Sequence, residues 1–63
     1  MTTIHKIRKK SGKTQDELAT VIGVDRTTVT KWETGQSVPR LPMLKKIAEA
    51  LGCKIIDLLE EEE

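Results

Sequence analysis

The chain of 63 residues has one cysteine, one tryptophan, no phenylalanine, no tyrosine and no long apolar run. Each scarcity closes a route. Cys53 has no second cysteine to pair with, and no CxxC or paired His and Cys offers a metal site, so packing alone must hold the fold. No stretch approaches the ~20 apolar residues of a membrane-spanning helix. The amino terminus, MTTIHKIRKK, lacks the apolar centre of a signal peptide. A reducing, cytoplasmic location without a membrane partner is therefore expected. Paired carboxylates and a nucleophile with its base are also missing, and His5 is solitary, so no catalytic residue, cofactor or enzymatic activity is expected.

Strand signals are equally scarce. The one β-branched run, Val21 to Val24, is broken by Gly23, and no alternating segment has a partner. What remains is a chain punctuated by four glycines. Gly12, Gly23, Gly35 and Gly52 each follow a helical pattern and precede a new start signal, which predicts one all-α domain over residues 1–63 with five helices. At this size the domain is near the lower limit for a core without staples.

The central stretch, Thr14 to Gly35, carries the clearest pattern. Thr14 and Glu17 form a Thr-x-x-Glu capping box, so a helix starts at Gln15 with Leu18, Ala19 and Ile22 facing inward. Gly23 stops it, with Val24 folding back as the apolar contact. Asp25 is the next capping side chain, and Arg26 to Thr34 forms a helix with Val29 and Trp32 on its inward stripe. Ala19 is small enough to let the two helices cross closely. Trp32 lies opposite the polar face and is assigned to the core rather than to stacking on a base. Outside this stretch a first helix runs from about Thr3 to Lys10 with Ile4, Ile7 and Arg8 inward. A fourth runs from about Leu41 to Leu51, with Pro42 in its first turn and Leu44, Ile47, Ala48 and Leu51 inward. Ile55, Leu58 and Leu59 define a short fifth helix as a lid. His5 is expected to be exposed, and Cys53 to be a buried apolar filler.

Two short helices joined by a glycine-centred turn make a helix-turn-helix. The residues Gln15, Ala19, Gly23, Val29 and Trp32, followed by Glu33 and Gly35, resemble the signature of the lambda-repressor-like, Cro-type family of bacterial and phage regulators, also called the xenobiotic-response-element family. The flanks Ile7-Arg8, Ile47-Ala48 and Ala50-Leu51-Gly52 resemble it too, so the likeness covers about residues 3 to 59. The resemblance implies the compact five-helix fold and sequence-specific binding of double-stranded DNA. It further implies a transcriptional regulator, a repressor by preference, acting as a homodimer on a palindromic, two-half-site operator. A rival from another class is a protein-interaction module, such as an antitoxin-like partner built on the same fold.

A helix lying in the major groove points its first turn, and the residue one turn on, at base edges; here these are Arg26, Thr27 and Lys31, the positions the resemblance also selects. Phosphate contacts are assigned to Gln15, Thr28, Thr34, Ser37 and Arg40, while Lys9, Lys10 and Lys13 either merely solvate the surface one by one or together add long-range attraction. Arg8 falls on a core-facing stripe and Glu33 follows Val29 by four, so neither is placed as a free surface charge, and a structural ion pair between them is expected. Proteins resembling this one lock their first helix to the reading helix in that way.

The net charge of +1 hides a dipole: ten Lys and Arg stand against four acids through Lys46, and one lysine against six acids from Ile47 onward. The basic end suits a polyanion. Glu60 to Glu63 is either the acidic counterpart turned away from that surface or a disordered, solubilising tail. Some positions depart from the family pattern. Lys13 stands where an apolar staple is usual, and Arg40 and Lys54 replace capping residues, which predicts frayed starts for the last two helices. Ile56 replaces a polar residue, either as the centre of a dimer patch with Met43 or Leu59 or as cover for the core.

Overall fold

A computed structural model describes residues 2–59, which form α1 (Thr3–Lys10), α2 (Gln15–Ile22), α3 (Arg26–Thr34), α4 (Leu41–Leu51) and α5 (Ile55–Leu59), with no strand among them. The acidic run Glu60 to Glu63 lies outside the described residues. The first four helices end next to the glycines that the sequence places there, and α2 starts at its capping box. The start of α2 is the most explicit: the Thr14 hydroxyl accepts from the Glu17 N–H at 3.1 Å, and the Glu17 carboxylate accepts from the Thr14 N–H at 2.9 Å. Those bonds, the one from the Thr14 backbone foremost, hold the Glu17 carboxyl below its ordinary value. Its end is equally defined. Gly23 adopts a left-handed conformation, φ +80°, and both Gly23 and Val24 donate their N–H to the Ala19 carbonyl, at 2.9 and 3.0 Å.

The start of α3 differs from expectation. Asp25 occupies the N-cap position in an extended conformation, but its side chain makes no capping bond; its exposed carboxylate stays in solvent, and only its backbone carbonyl joins the helix, accepting from Thr28 and Val29. At α5 the correction runs the other way. Lys54 cannot cap, yet its N–H donates to the Asp57 carboxylate at 3.0 Å, so half of a capping box survives without the Ser or Thr. Arg40 supplies no side-chain cap to α4, where Pro42 in the first turn has no N–H to satisfy.

The helices close on a core of Ile4, Leu18, Ala19, Ile22, Val29, Trp32, Leu44, Ile47, Ala48, Leu51 and Leu58. Leu18, Val29 and Ile47 are completely buried. α2 packs on α3 and α4, α1 on α3 and α5, and α5 also on α4, so α1 and α2 together brace α3. The Thr2 N–H adds a backbone tie, donating to the Glu33 carbonyl at 3.2 Å. Ile7, Ile55 and Cys53 are only partly buried against this core, and Leu59 is exposed. Of the three apolar residues that share a face of α5, Leu58 alone takes the buried place. Cys53 is thus half-buried against the core rather than an interior filler, and burial, aided by the nearby Asp57 charge, pushes its thiol up.

A Cβ at Gly23 would meet nothing within 4 Å, so Gly23→Ala tests backbone conformation alone. The left-handed φ makes the expected loss about 1–2 kcal/mol, or a fall in melting temperature of roughly 4–8 °C per kcal/mol for a domain this small. Thermal denaturation followed by circular dichroism measures it, and an unchanged melting curve would contradict the assignment.

Candidate nucleic-acid interface

The two faces of α3 are chemically separate. Val29, Trp32 and Glu33 are buried; Arg26, Thr27, Lys31 and Thr34 are exposed; Thr28 and Thr30 stand half-buried at the borders. Successive helical residues turn by about 100°, which gathers Arg26, Thr27 and Lys31 on the outer arc. Arg26 leans across the mouth of the helix pair with its Nε 3.9 Å from the Asp16 carboxylate, both side chains well exposed. Such an exposed contact contributes about 0–1 kcal/mol. It leaves Arg26 easily redirected.

Glu33 is the buried side of this helix's chemistry. Its carboxylate is fully enclosed and accepts from Arg8 Nε at 2.5 Å and Arg8 Nη2 at 3.2 Å, from His5 Nδ1 at 2.9 Å and from Gln15 Nε2 at 3.0 Å. Burial works against its charge, yet the bonds from Arg8, Gln15 and His5 and the Arg8 charge outweigh it, so the carboxyl titrates below its ordinary value. Arg8 uses its remaining arm on the Lys13 carbonyl, with Nη1 to O at 2.6 Å, and so also fixes the turn between α1 and α2. One carboxylate therefore joins α1, α2 and α3.

Two partners in this cluster behave otherwise than expected. His5 is not an exposed helical residue; its side chain is 21% exposed, and because a carboxylate can only accept, its Nδ1 carries the proton. Gln15 is turned inward: its Nε2 donates to Glu33, and its Oε1 accepts from the Thr30 hydroxyl at 3.0 Å. Only the second N–H of that amide is left for an outside acceptor. Helical periodicity gives no signal for either contact, since the partners lie 28 and 18 residues apart. A signal does exist in the chemistry, because a buried carboxylate needs more donors than one arginine supplies.

The other candidate phosphate contacts are not equivalent. Thr34 donates its one hydroxyl proton to the Thr30 carbonyl at 2.9 Å, so it has no proton to spare for a phosphate in this conformation. Ser37 and Arg40 are exposed in the segment after α3, whose turn is closed by the Gln36 and Ser37 N–H groups on the Lys31 carbonyl. At the start of α2 an open cleft is lined by the cations Arg8, Lys9, Lys13 and Arg26 against one carboxylate, Asp16, with Thr14 and Gln15 between them. Fold geometry thus brings Lys9 and Lys13 to the same concavity as Gln15 and Arg26. A cationic cleft at a helix start suits an anion such as phosphate. Among the described residues no group of three or more His, Cys, Asp and Glu is placed to hold a metal, and no helix is long and apolar enough to cross a membrane.

A helix-turn-helix family model matches residues 4–58. An uncharacterized helix-turn-helix-type transcriptional regulator from Archaeoglobus fulgidus is 42% identical over 57 residues, covering 90% of this chain and 81% of that protein. The cryptic phage CTXphi transcriptional repressor RstR from Vibrio cholerae is 41% identical over 51 residues, covering 81% of this chain and 46% of the repressor. The crystal structure of a hypothetical transcription factor from Neisseria matches with a TM-score of 0.83 at 34% identity, over 92% of this chain and 65% of that one. Against another of its curated relatives the chain spans only 29% of the length.

Replacing Glu33 by Gln leaves the Arg8 guanidinium buried without a counter-charge. Breaking such a pair costs about 3–5 kcal/mol, most of what a domain of this size has at roughly 0.05–0.15 kcal/mol per residue. Glu33→Gln is therefore expected to be largely unfolded at 37 °C. Acid supplies an independent check. A depressed carboxyl stabilises fully above its unfolded value, about pH 4.3, and that contribution is lost as pH falls through the lower folded value. Melting temperatures measured between pH 3 and 7 should drop steeply at the acid end in the native chain, and an acid limb as flat as that of an Arg8→Met, Glu33→Leu double variant would refute the role assigned to Glu33.

Proposed function

The chain belongs to the helix-turn-helix family, and from that premise we propose that it is a sequence-specific, double-stranded DNA-binding transcriptional regulator that acts as a homodimer on a two-half-site, palindromic operator. The observation that carries this reading is the division of α3. Its buried side is held at three points, while Arg26, Thr27 and Lys31 project from the other as long or hydroxylated hydrogen-bonding groups. Arg26 and Lys31 match the O6 and N7 acceptors of guanine, and Thr27 suits a base edge or a thymine methyl. Thr28, the second N–H of Gln15, Ser37 and Arg40 are the phosphate contacts in this proposal. Thr34 joins them only by giving up its bond to the Thr30 carbonyl. The Arg26 and Thr27 N–H groups at the start of α3 receive no side-chain cap from Asp25 and suit a phosphate oxygen.

Dimerisation follows from the small footprint of one domain. Two molecules of 28 × 23 × 23 Å side by side suit reading helices one turn of DNA apart, about 34 Å. The apolar surface for it is on α5, where Ile56 and Leu59 are 63% and 59% exposed; Met43 packs against the core and contributes less. The same patch favours the second reading, an interaction module gripping another protein. Repression is the sense we favour, after the phage repressor among the relatives.

Selection from random duplex DNA, followed by a salt titration, tests the proposal. A palindromic consensus is expected, with log K falling linearly against log salt at about −0.9 per phosphate neutralised. Arg26→Ala should weaken binding to that consensus by about 1–3 kcal/mol and relax preference at one position per half-site. Ile56→Glu should leave the fold intact and convert cooperative occupancy of both half-sites into weak, independent binding. Binding without sequence preference, and without a palindrome, would favour the interaction module instead.

A further inference from the structure

We infer that Thr30 is a further specificity-determining residue of α3, one that accepts a hydrogen bond from a base and cannot donate one. The inference rests on the DNA-reading role proposed above and adds the class of base this position selects.

Thr30 follows Arg26 by four residues and Thr27 by three, so it borders the same outer arc, on the side facing α2. Its polarity is settled by a relay of donors that begins in the core. The Glu33 carboxylate has only acceptors, so the Gln15 amide must turn its nitrogen towards it, at 3.0 Å. That choice fixes the other end. The amide oxygen is left 3.0 Å from the Thr30 hydroxyl oxygen, and an amide oxygen cannot donate, so the proton between them belongs to Thr30. The alternative acceptor within reach is the Arg26 carbonyl at 3.2 Å, which again draws the proton inward. A hydroxyl has one proton. With it committed to either partner, Thr30 offers the major groove lone pairs only.

Lone pairs are met by the adenine N6 and cytosine N4 amino groups and repelled by guanine O6 and N7 and thymine O4. At the position it faces, Thr30 therefore selects an amino base and orients the base pair, distinguishing A·T from T·A and C·G from G·C. Thr27 differs: among the described residues its exposed hydroxyl has no partner, and it can turn to donate or accept.

The experiment compares site selections from random duplex DNA for the native chain, Thr30→Ser, Thr30→Val and Gln15→Met, each first checked for native melting. The native chain and Thr30→Ser are expected to prefer adenine or cytosine by about three- to tenfold, the scale of one hydrogen bond, at one position per half-site. Thr30→Val should lose that preference and keep the rest of the consensus. Gln15→Met leaves the Arg26 carbonyl, the more distant acceptor, as the sole inward partner of that proton, so the same preference should weaken without being lost, whatever happens to overall affinity. A Thr30→Val consensus identical to the native one overturns the inference while leaving the DNA-reading proposal standing. Gln15→Met keeping the native preference undiminished overturns the relay, because the Arg26 carbonyl alone would then set the direction of the Thr30 proton. A native chain that selects no consensus removes the underlying proposal, and this one with it.

Discussion

A single carboxylate, buried and ionised, sets the terms for the rest of this molecule. Glu33 is enclosed in a chain too short to hide much else, and a charge in that position is tolerable only if donors surround it. The donors come from His5 and Arg8 on α1 and from Gln15 on α2, so satisfying one group forces three helices into one arrangement. Apolar packing of Leu18, Val29, Trp32 and Ile47 supplies the general driving force for collapse. It has little directional content. The carboxylate supplies direction, because hydrogen bonds tolerate far less displacement than contacts between aliphatic side chains.

That division explains what could and could not be read from the chain. The starts and ends of the helices were legible because their determinants are local: Thr14 and Glu17 are three residues apart, and each glycine acts on its own turn. The inward residues of α2, α3 and α4 were legible because periodicity is also local. His5 was misjudged because it looked polar and peripheral, and the inward bonds of Gln15 went unread, because only the approach of α1 and α2 to Glu33 creates either contact. Asp25 failed in the opposite sense. Its type and position suit a cap, but a carboxylate free in solvent has no need to fold back, whereas Asp57, of less suggestive position, closes on the Lys54 N–H.

For the candidate interface, residue type identified the outer arc of α3, and burial agrees with that placement of Arg26, Thr27 and Lys31. What the sequence withheld was the allocation of protons. Threonine at positions 27, 30 and 34 is one residue type in three circumstances: one hydroxyl unengaged, one tied to a side-chain amide, one tied to a backbone carbonyl. These are properties of neighbours rather than of threonine, and no pattern of residue types along the helix contains them.

The Arg8 fork reaching past Glu33 to the Lys13 carbonyl has a consequence for how this domain tolerates change. A lysine in its place would keep the charge, but one ammonium has no planar fork with which to serve two sites in fixed directions. Arg8 and Glu33 can thus be exchanged only as a pair, while surface replacements on the outer arc of α3 usually stay within about 0.5 kcal/mol of neutral. The domain is in that sense modular: its outward vocabulary can be rewritten residue by residue, on a frame that admits no piecemeal revision.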